Sequence, residues 1–94
     1  MTEIRQLQRV IRNLHGVDSS HIRSERVHLS YRKETLWDGV VEVFSLKGHP
    51  KAGLGYAWGV DIDGGGRSYV AILGVSPINS AADAVQAFLA AQEP

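Results

Sequence analysis

Apolar residues recur every three or four positions near the start of the chain, which is the spacing of one face of a helix. In residues 3–15 this stripe consists of Ile4, Leu7, Ile11 and Leu14. Thr2 has the side chain of a helix N-cap, and Gly16 stands where a left-handed residue commonly ends a helix. The pattern therefore predicts a first helix over residues 3–15.

The same helical spacing returns at the end of the chain. Over residues 81–92 the apolar stripe consists of Ala81, Val85, Phe88 and Leu89. Ser80 and Asp83 have the spacing of a capping box, with Asp in the place usually held by Glu. We therefore predict a second helix over residues 81–92, which contains no Lys or Arg.

Between the two helices, apolar residues alternate with polar or small ones, and this alternation predicts strands. The predicted strands cover residues 27–31, 35–46, 54–62 and 67–75. Residues rich in turn formers separate the later strands, notably Gly48–Lys51 and Asp63–Gly66. Residues 17–25 are polar and are predicted to be irregular. We expect the three or four strands to form an antiparallel meander.

Two of the predicted strands are unusual in their side-chain pattern. The strand at 35–46 has apolar residues on both sides, and such a strand requires cover on both faces. The strand at 54–62 has bulky residues on one side and small ones on the other, which suggests that another element approaches closely. We predict one α+β domain over residues 1–94, a two-layer sandwich with both helices on one face, and a homodimer that covers the open face.

Composition narrows the classes of function. The chain has 94 residues, ten basic and ten acidic residues, and no cysteine. Balanced charge disfavours a nucleic-acid or membrane-surface partner, and the lack of cysteine excludes disulfides and thiolate chemistry. No apolar run approaches the length of a membrane span, and the opening residues lack the apolar region of a secretory signal. We therefore expect a cytoplasmic protein without a membrane partner.

The charges are unevenly distributed along the chain. Residues 1–51 hold nine Lys or Arg against six Asp or Glu, whereas residues 52–94 hold one against four. This asymmetry either favours self-association or is chance clustering. The predicted first helix also carries a stripe of arginines, and two lysines follow later in the chain. These residues either bind nucleic acid or form a solvated face. They are Arg5, Arg9, Arg12, Lys47 and Lys51.

Two residues are candidates for acid–base catalysis. His49 lies in the turn after the long strand, where it would act on a ligand or hold the turn by a hydrogen bond. Glu42 lies among apolar residues of that strand, where it would be either a functional acid or the partner of an Arg from the first helix. An enzyme using both residues would need them in one cleft.

No cofactor is predicted, and the metal-binding signals are weak. His15, Asp18 and His21 are three residues apart and would form an open metal site only if their side chains converged. The segment Asp61–Gly66 lacks the later ligands of a calcium loop, and Gly53–Gly59 lacks the spacing of a dinucleotide fingerprint. We therefore predict no resident metal.

Three short segments of the chain resemble the sequences of a small family of uncharacterised bacterial proteins. They are Trp37 to Phe44, Gly48 to Pro50 and Tyr56 to Trp58. That resemblance implies an origin and no activity. The order of helix, three strands and helix resembles the double-stranded-RNA-binding domain over roughly residues 35–92, with the first helix displaced by a long intervening segment. His49 in the loop after the first of these strands, followed by Tyr56 and Trp58, is similar to that family's pattern. In the family, lysines at the start of the last helix contact phosphates. Here the corresponding stretch, Ser76–Asp83, contains no lysine.

These observations favour a small, non-enzymatic binding or interaction domain that self-associates. The first alternative is an RNA-binding module that uses the basic residues of the first helix. The second is a small enzyme in which His49 and Glu42 are the catalytic groups.

Overall fold

The computed structural model describes residues 3–92 and has the element order α-β-β-β-β-α. The elements are α1 (Glu3–His15), β1 (Asp18–Tyr31), β2 (Glu34–Lys47), β3 (Leu54–Asp61), β4 (Arg67–Leu73) and α2 (Ala81–Gln92). The strands form one antiparallel meander in the order β1-β2-β3-β4. The predicted α+β class and meander are thus confirmed.

The helix boundaries follow the local signals of the sequence. Gly16 ends α1 with a φ of 71°, and its N–H donates to the Arg12 carbonyl at 2.8 Å. At the start of α2, Ser80 Oγ accepts the N–H of Asp83 at 3.1 Å, and Asp83 in turn accepts the N–H of Asn79. The predicted cap at Thr2 lies outside the described residues.

The prediction of an irregular segment over residues 17–25 was wrong. Most of these residues belong to β1, which pairs with β2 from Asp18↔Lys47 to Tyr31↔Glu34. A bulge at Ile22 interrupts the register, so the side-chain alternation changes phase in mid-strand. Polar side chains on the exposed parts of β1 further conceal the period of two that identifies a strand.

The prediction that both helices lie on one face of the sheet was also wrong. Leu7 and Ile11 of α1 pack in one cluster with Phe44, Leu46 and Ala57. Val85 of α2 packs in a second cluster that contains Val41, Val43, Tyr56 and Trp58. Since neighbouring residues of β2 and β3 point to opposite faces, the two clusters lie on opposite sides of the sheet.

The sheet is therefore the middle of three layers rather than half of a two-layer sandwich. Helix α1 rests on the side where β3 carries small residues, and Ala57 on that side is fully buried. Helix α2 covers the side where β3 carries Tyr56 and Trp58. The predicted close approach to the small side of β3 is confirmed, and the protein's own helices cover both faces.

One residue of the predicted apolar stripe on α1 is not part of the core. Leu7 and Ile11 are buried, but Leu14 is 62% exposed. Leu14 lies in the last turn of α1, in which His15 rather than Leu14 contacts the sheet, at the carbonyl oxygen of Ala71. Within residues 3–92, neither helix is both long and apolar enough to cross a membrane.

Candidate functional site

The central sheet divides into two hairpins at one end. Pairing between β2 and β3 covers only four residue pairs, from Ser45↔Leu54 to Glu42↔Ala57. Beyond them β2 continues with β1, and β3 continues with β4 as far as Asp61↔Arg67. The facing edges of residues 38–41 and 58–61 therefore have no strand partner in the described part of the chain.

A cleft of about 460 Å³ lies where the two hairpins separate, and we call it the hairpin cleft. Its polar lining consists of four carboxylates and one guanidinium, from Glu3, Asp38, Glu42, Asp61 and Arg67. Its apolar lining includes Trp37, Val40, Trp58 and Val60. The strand alternation assigns the acidic residues of β2 and β3 to the α1 side and the tryptophans to the α2 side.

Arg67 is the one cation among the residues that line the hairpin cleft. Its guanidinium donates to Glu3 Oε1 at 2.7 Å and to Asp61 Oδ1 at 2.7 Å. These hydrogen bonds, first from Glu3 and then from Asp61, raise the pKa of Arg67 above its usual value. Arg67 thus stays charged and is shared between two carboxylates, so the negative charge of the cleft is only partly compensated.

Gly59 permits the Glu3–Arg67 ion pair to lie across β3. A Cβ atom added at Gly59 would overlap both Arg67 Nε and Glu3 Oε1. The absence of a side chain at this position therefore allows the N-terminus of α1 to be linked to the first residue of β4.

The two tryptophans bridge the separation of the hairpins on its other side. Trp37 belongs to β2 and Trp58 to β3, and their rings meet edge to face with centroids 5.7 Å apart. Trp58 is only 1% exposed, and its Nε1 has no hydrogen-bond partner in the described structure. The cleft thus combines carboxylates, an aromatic pair and an unpartnered donor on one of its lining residues.

Glu42 has partners other than the predicted arginine of α1. Its Oε1 accepts hydrogen bonds from Ser24 Oγ and, at 2.8 Å, contacts His21 Nε2. In a hydrolytic triad the imidazole lies between the hydroxyl and the carboxylate, whereas here the carboxylate lies between them. This arrangement holds β1 against β2 and does not activate Ser24 as a nucleophile.

His49 and Glu42, the two catalytic candidates, are not brought together. Glu42 lines the hairpin cleft, and His49 is not among the residues that line it. His49 Nδ1 accepts the N–H of Lys51 at 3.0 Å and that of Ala52 at 2.9 Å. His49 therefore holds the turn between β2 and β3, which is the structural interpretation of this residue.

The three metal-ligand candidates each have a different partner. His15 Nε2 contacts the carbonyl oxygen of Ala71, Asp18 pairs with Arg12, and His21 pairs with Glu42. No group of three or more metal-ligating side chains is found among residues 3–92. These three residues therefore do not form a common site.

Three of the five basic candidates share one surface depression. Arg9, Arg12 and Lys47 line it together with Gln8, Asp18 and Ser19, and we call it the basic depression. Arg12 is already paired with Asp18. Arg5 and Lys51 are exposed but do not line this depression.

No protein-family model matches the chain, and no curated protein or solved structure gives a significant match. The similarity to small bacterial proteins thus has no identified homologue behind it. The observed sheet has four strands and a helix on each face. The resemblance to the RNA-binding domain rested on three strands. Candidate functions must therefore be argued from the geometry alone.

The hairpin cleft was not predicted from the sequence. Asp38 and Glu42 were recognisable as two carboxylates on one strand face, and Asp61 as part of a glycine-rich turn region. Glu3 and Arg67 are 64 positions apart, and no local pattern connects them. The only sequence signal for their meeting is the glycine at position 59, which marks a close approach without identifying the partner.

Proposed function

We propose that the protein is a small non-enzymatic binding domain whose ligand site is the hairpin cleft, and that the ligand carries a positively charged group. The observation that carries this proposal is the separation of β2 and β3 over four carboxylates and two indoles. The carboxylates on the α1 side are the usual partners of a bound guanidinium or ammonium group, and the indoles on the α2 side offer an apolar surface to the rest of the ligand.

The charge of the cleft supports a cationic ligand. Glu3 and Asp61 share Arg67, and Asp38 is paired with Arg26 of β1. Among residues 3–92 the one ionic partner of Glu42 is His21, which is charged only when protonated. An incoming guanidinium would replace Arg67 on one of its two carboxylates and would gain from the remaining negative charge.

Binding can be followed without a label, because Trp37 and Trp58 are the only tryptophans of the chain and both line the cleft. We suggest titration with the peptide acetyl-Thr-Val-Arg-Val-Thr-amide, monitored by calorimetry and tryptophan fluorescence. The matched peptide with Glu in place of Arg is the control ligand. We expect saturable binding of the arginine peptide and no binding of the glutamate peptide.

Charge-neutral variants test whether the cleft is the site. Asp61→Asn should weaken binding about 2- to 5-fold, the effect of losing one ion pair with a largely exposed carboxylate. Arg67→Ala should strengthen binding, since it removes the cation that competes for Glu3 and Asp61. Asp63→Asn is the matched control, because Asp63 is a nearby exposed carboxylate outside the cleft lining. Equal effects of Asp61→Asn and Asp63→Asn would refute the assignment of the site.

Self-association is the second part of the proposal, and it is supported by two surfaces of opposite charge. The basic depression on α1 and the acidic hairpin cleft at its other end are complementary in sign. Two copies related by a two-fold axis would place each depression opposite the partner's cleft, so the dimer and a bound ligand would compete for the cleft. The sequence predicted a dimer that covers an open sheet face, but that reason for dimerisation does not apply because α1 and α2 pack on opposite faces.

Light scattering coupled to size-exclusion chromatography tests the dimer. The dimer should dissociate in high salt and with Arg9→Glu, but not with Arg23→Glu, since Arg23 is paired with Glu25 outside the basic depression. A mass of about 10 kDa for the unaltered chain at high concentration and low salt would exclude it.

Nucleic-acid binding is a second candidate function, favoured by the convergence of Arg9, Arg12 and Lys47 on the basic depression. Phosphate contacts of this kind produce affinity that falls steeply with salt. A gel shift with a 20-base-pair RNA duplex at low salt tests it, with Arg9→Ala as the variant. The absence of a shift at low salt would eliminate this candidate.

A further inference from the structure

We propose that the hairpin cleft binds an extended peptide segment of about four residues, which enters the sheet as an additional strand between β2 and β3. This inference rests on the proposed function, that the cleft is a ligand site, and names the ligand class. Its occupant would be a segment of a partner protein in which a basic residue stands between apolar ones.

The first observation is the early end of the β2–β3 pairing. The last pair is Glu42↔Ala57, although both strands continue in extended conformation, β2 back to Glu34 and β3 on to Asp61. Within the described range 3–92, residues 38–41 and 58–61 are each paired on their outer side only, with β1 and β4 respectively. A cleft of about 460 Å³ separates their inner sides.

The second observation concerns the backbone groups that this separation leaves free. In an antiparallel strand, alternate residues direct both their N–H and C=O groups to the same side, so about half of those in each segment face the cleft. Unpaired strand edges are templates for pairing with another chain. An inserted segment would pair with two edges at once, whereas the outer edges of β1 and β4 offer only one each.

The side chains of the cleft define which segment fits. Successive residues of an inserted strand would point alternately to the α1 side and the α2 side. On the α1 side they would meet Glu3, Asp61 and Glu42, which favour an Arg or Lys. On the α2 side they would meet Trp37 and Trp58, which favour apolar residues. The pattern apolar–basic–apolar therefore matches the cleft.

Trp58 is a second unusual feature of the cleft lining. Its ring is buried between Trp37 and Phe88, yet its Nε1 has no hydrogen-bond partner among the residues that the structure describes. Buried donors are rarely left unpaired, because desolvation without a hydrogen bond is unfavourable. The Trp58 indole is therefore an unsatisfied donor on a residue that lines the cleft.

The experiment compares backbone variants of one peptide, so that the protein itself is unaltered. The probe is acetyl-Thr-Val-Arg-Val-Thr-amide, and its variants carry one N-methyl group at each of the three central positions in turn. Methylation preserves charge and side chains but removes a donor from one strand edge. We expect every single methylation to weaken binding about tenfold or more, since adjacent positions face β2 and β3 in alternation.

Amide hydrogen exchange locates the pairing. Binding should slow exchange at residues within 38–41 and 58–61, with no change along the outer edges of β1 and β4. If the methylated peptides bind as well as the parent peptide, strand insertion is wrong while the cationic site survives. Slowed exchange on an outer edge alone would also overturn the inference. If the parent peptide does not bind at all, the proposed function itself fails.

Discussion

The indole rings of Trp37 and Trp58 meet at an interplanar angle of 71° across the point where the two hairpins of the sheet have separated. The side chains thus maintain a contact between β2 and β3 where no backbone pairing joins them. The ring of Trp37 also covers Gly39 on its own strand, where an added Cβ would lie 3.0 Å from the ring. This aromatic contact lines the α2 side of the hairpin cleft.

Replacement of Trp37 should therefore destabilise the fold. We expect Trp37→Ala to lower the free energy of unfolding by about 2 kcal/mol, less than for a fully buried tryptophan because Trp37 is only half-buried. The measurement is urea denaturation followed by circular dichroism. Leu36→Ala is the control, since Leu36 is 52% exposed, and it should change stability by less than about 0.5 kcal/mol. Equal losses for both variants would contradict the bridging role.

The β1–β2 turn should be improvable, because its two central residues are both left-handed without being glycine. Arg32 has a φ of 51° and Lys33 a φ of 68°. The double change Arg32→Asn with Lys33→Gly places residues suited to this turn and should add about 1 kcal/mol of stability. The opposite change, Gly64→Ala, should remove about 1 kcal/mol, since Gly64 has a φ of 87° in the next hairpin. Thermal melts that show the same sign for both would refute this explanation.

A methyl group at position 59 should disturb the Glu3–Arg67 pair. Because the added Cβ overlaps the ion pair, Gly59→Ala should free the Arg67 guanidinium and speed the exchange of its Nε proton, as measured by NMR. The loss of stability should stay near 1 kcal/mol or below, since both side chains are partly exposed. Gly53→Ala is the matched control, with open space around its Cβ. Unchanged Nε exchange in Gly59→Ala would contradict the prediction.

Alkaline pH should weaken the fold through Tyr56. Burial, and secondarily the negative charge of Glu25, raise the pKa of Tyr56 above its usual value of 10.0. In the unfolded chain the hydroxyl loses its proton near pH 10, whereas the folded chain retains it. The stabilisation is therefore complete below pH 10 and is lost as pH rises from there through the higher folded pKa.

Tyr56→Phe isolates this contribution, because it keeps the buried ring and removes the ionisable hydroxyl. Melting curves from about pH 8 to pH 11 should fall less steeply above pH 10 for Tyr56→Phe than for the unaltered protein. Tyr31→Phe should behave as the unaltered protein does, since Tyr31 is 60% exposed. An identical alkaline slope for all three proteins would rule out the role of Tyr56.

Most elements of the fold were predictable, and the exceptions have local causes. The predicted bounds of α1 and α2 match the observed helices, because helical spacing and capping residues act within a few positions. The first part of β1 was missed because its side chains are polar and the bulge at Ile22 shifts their alternation. The turn role of His49 was foreseeable as one of two interpretations, since the hydrogen bonds involve its near neighbours.

The candidate site was far less predictable. Its defining feature is a separation of two strands whose individual sequences both favour pairing. The partner of Glu42 proved to be His21 on the neighbouring strand, not an arginine of α1. Such contacts depend on the register of β1 against β2, which the polar sequence of β1 does not specify.

By itself the sequence determined two helices, an antiparallel meander and strands apolar on both faces. The helical period of 3.6 residues and the strand period of 2 are visible in the order of neighbouring residues. The tertiary structure alone decided that α1 and α2 cover opposite faces, and that the hairpins separate beyond Glu42 and Ala57. Either helix has an apolar stripe and either sheet face is apolar, so local pattern permits both arrangements. Which face each helix covers depends on packing in the assembled core. Helix α1 packs on the side where β3 carries small residues, and α2 packs on the side filled by Tyr56 and Trp58.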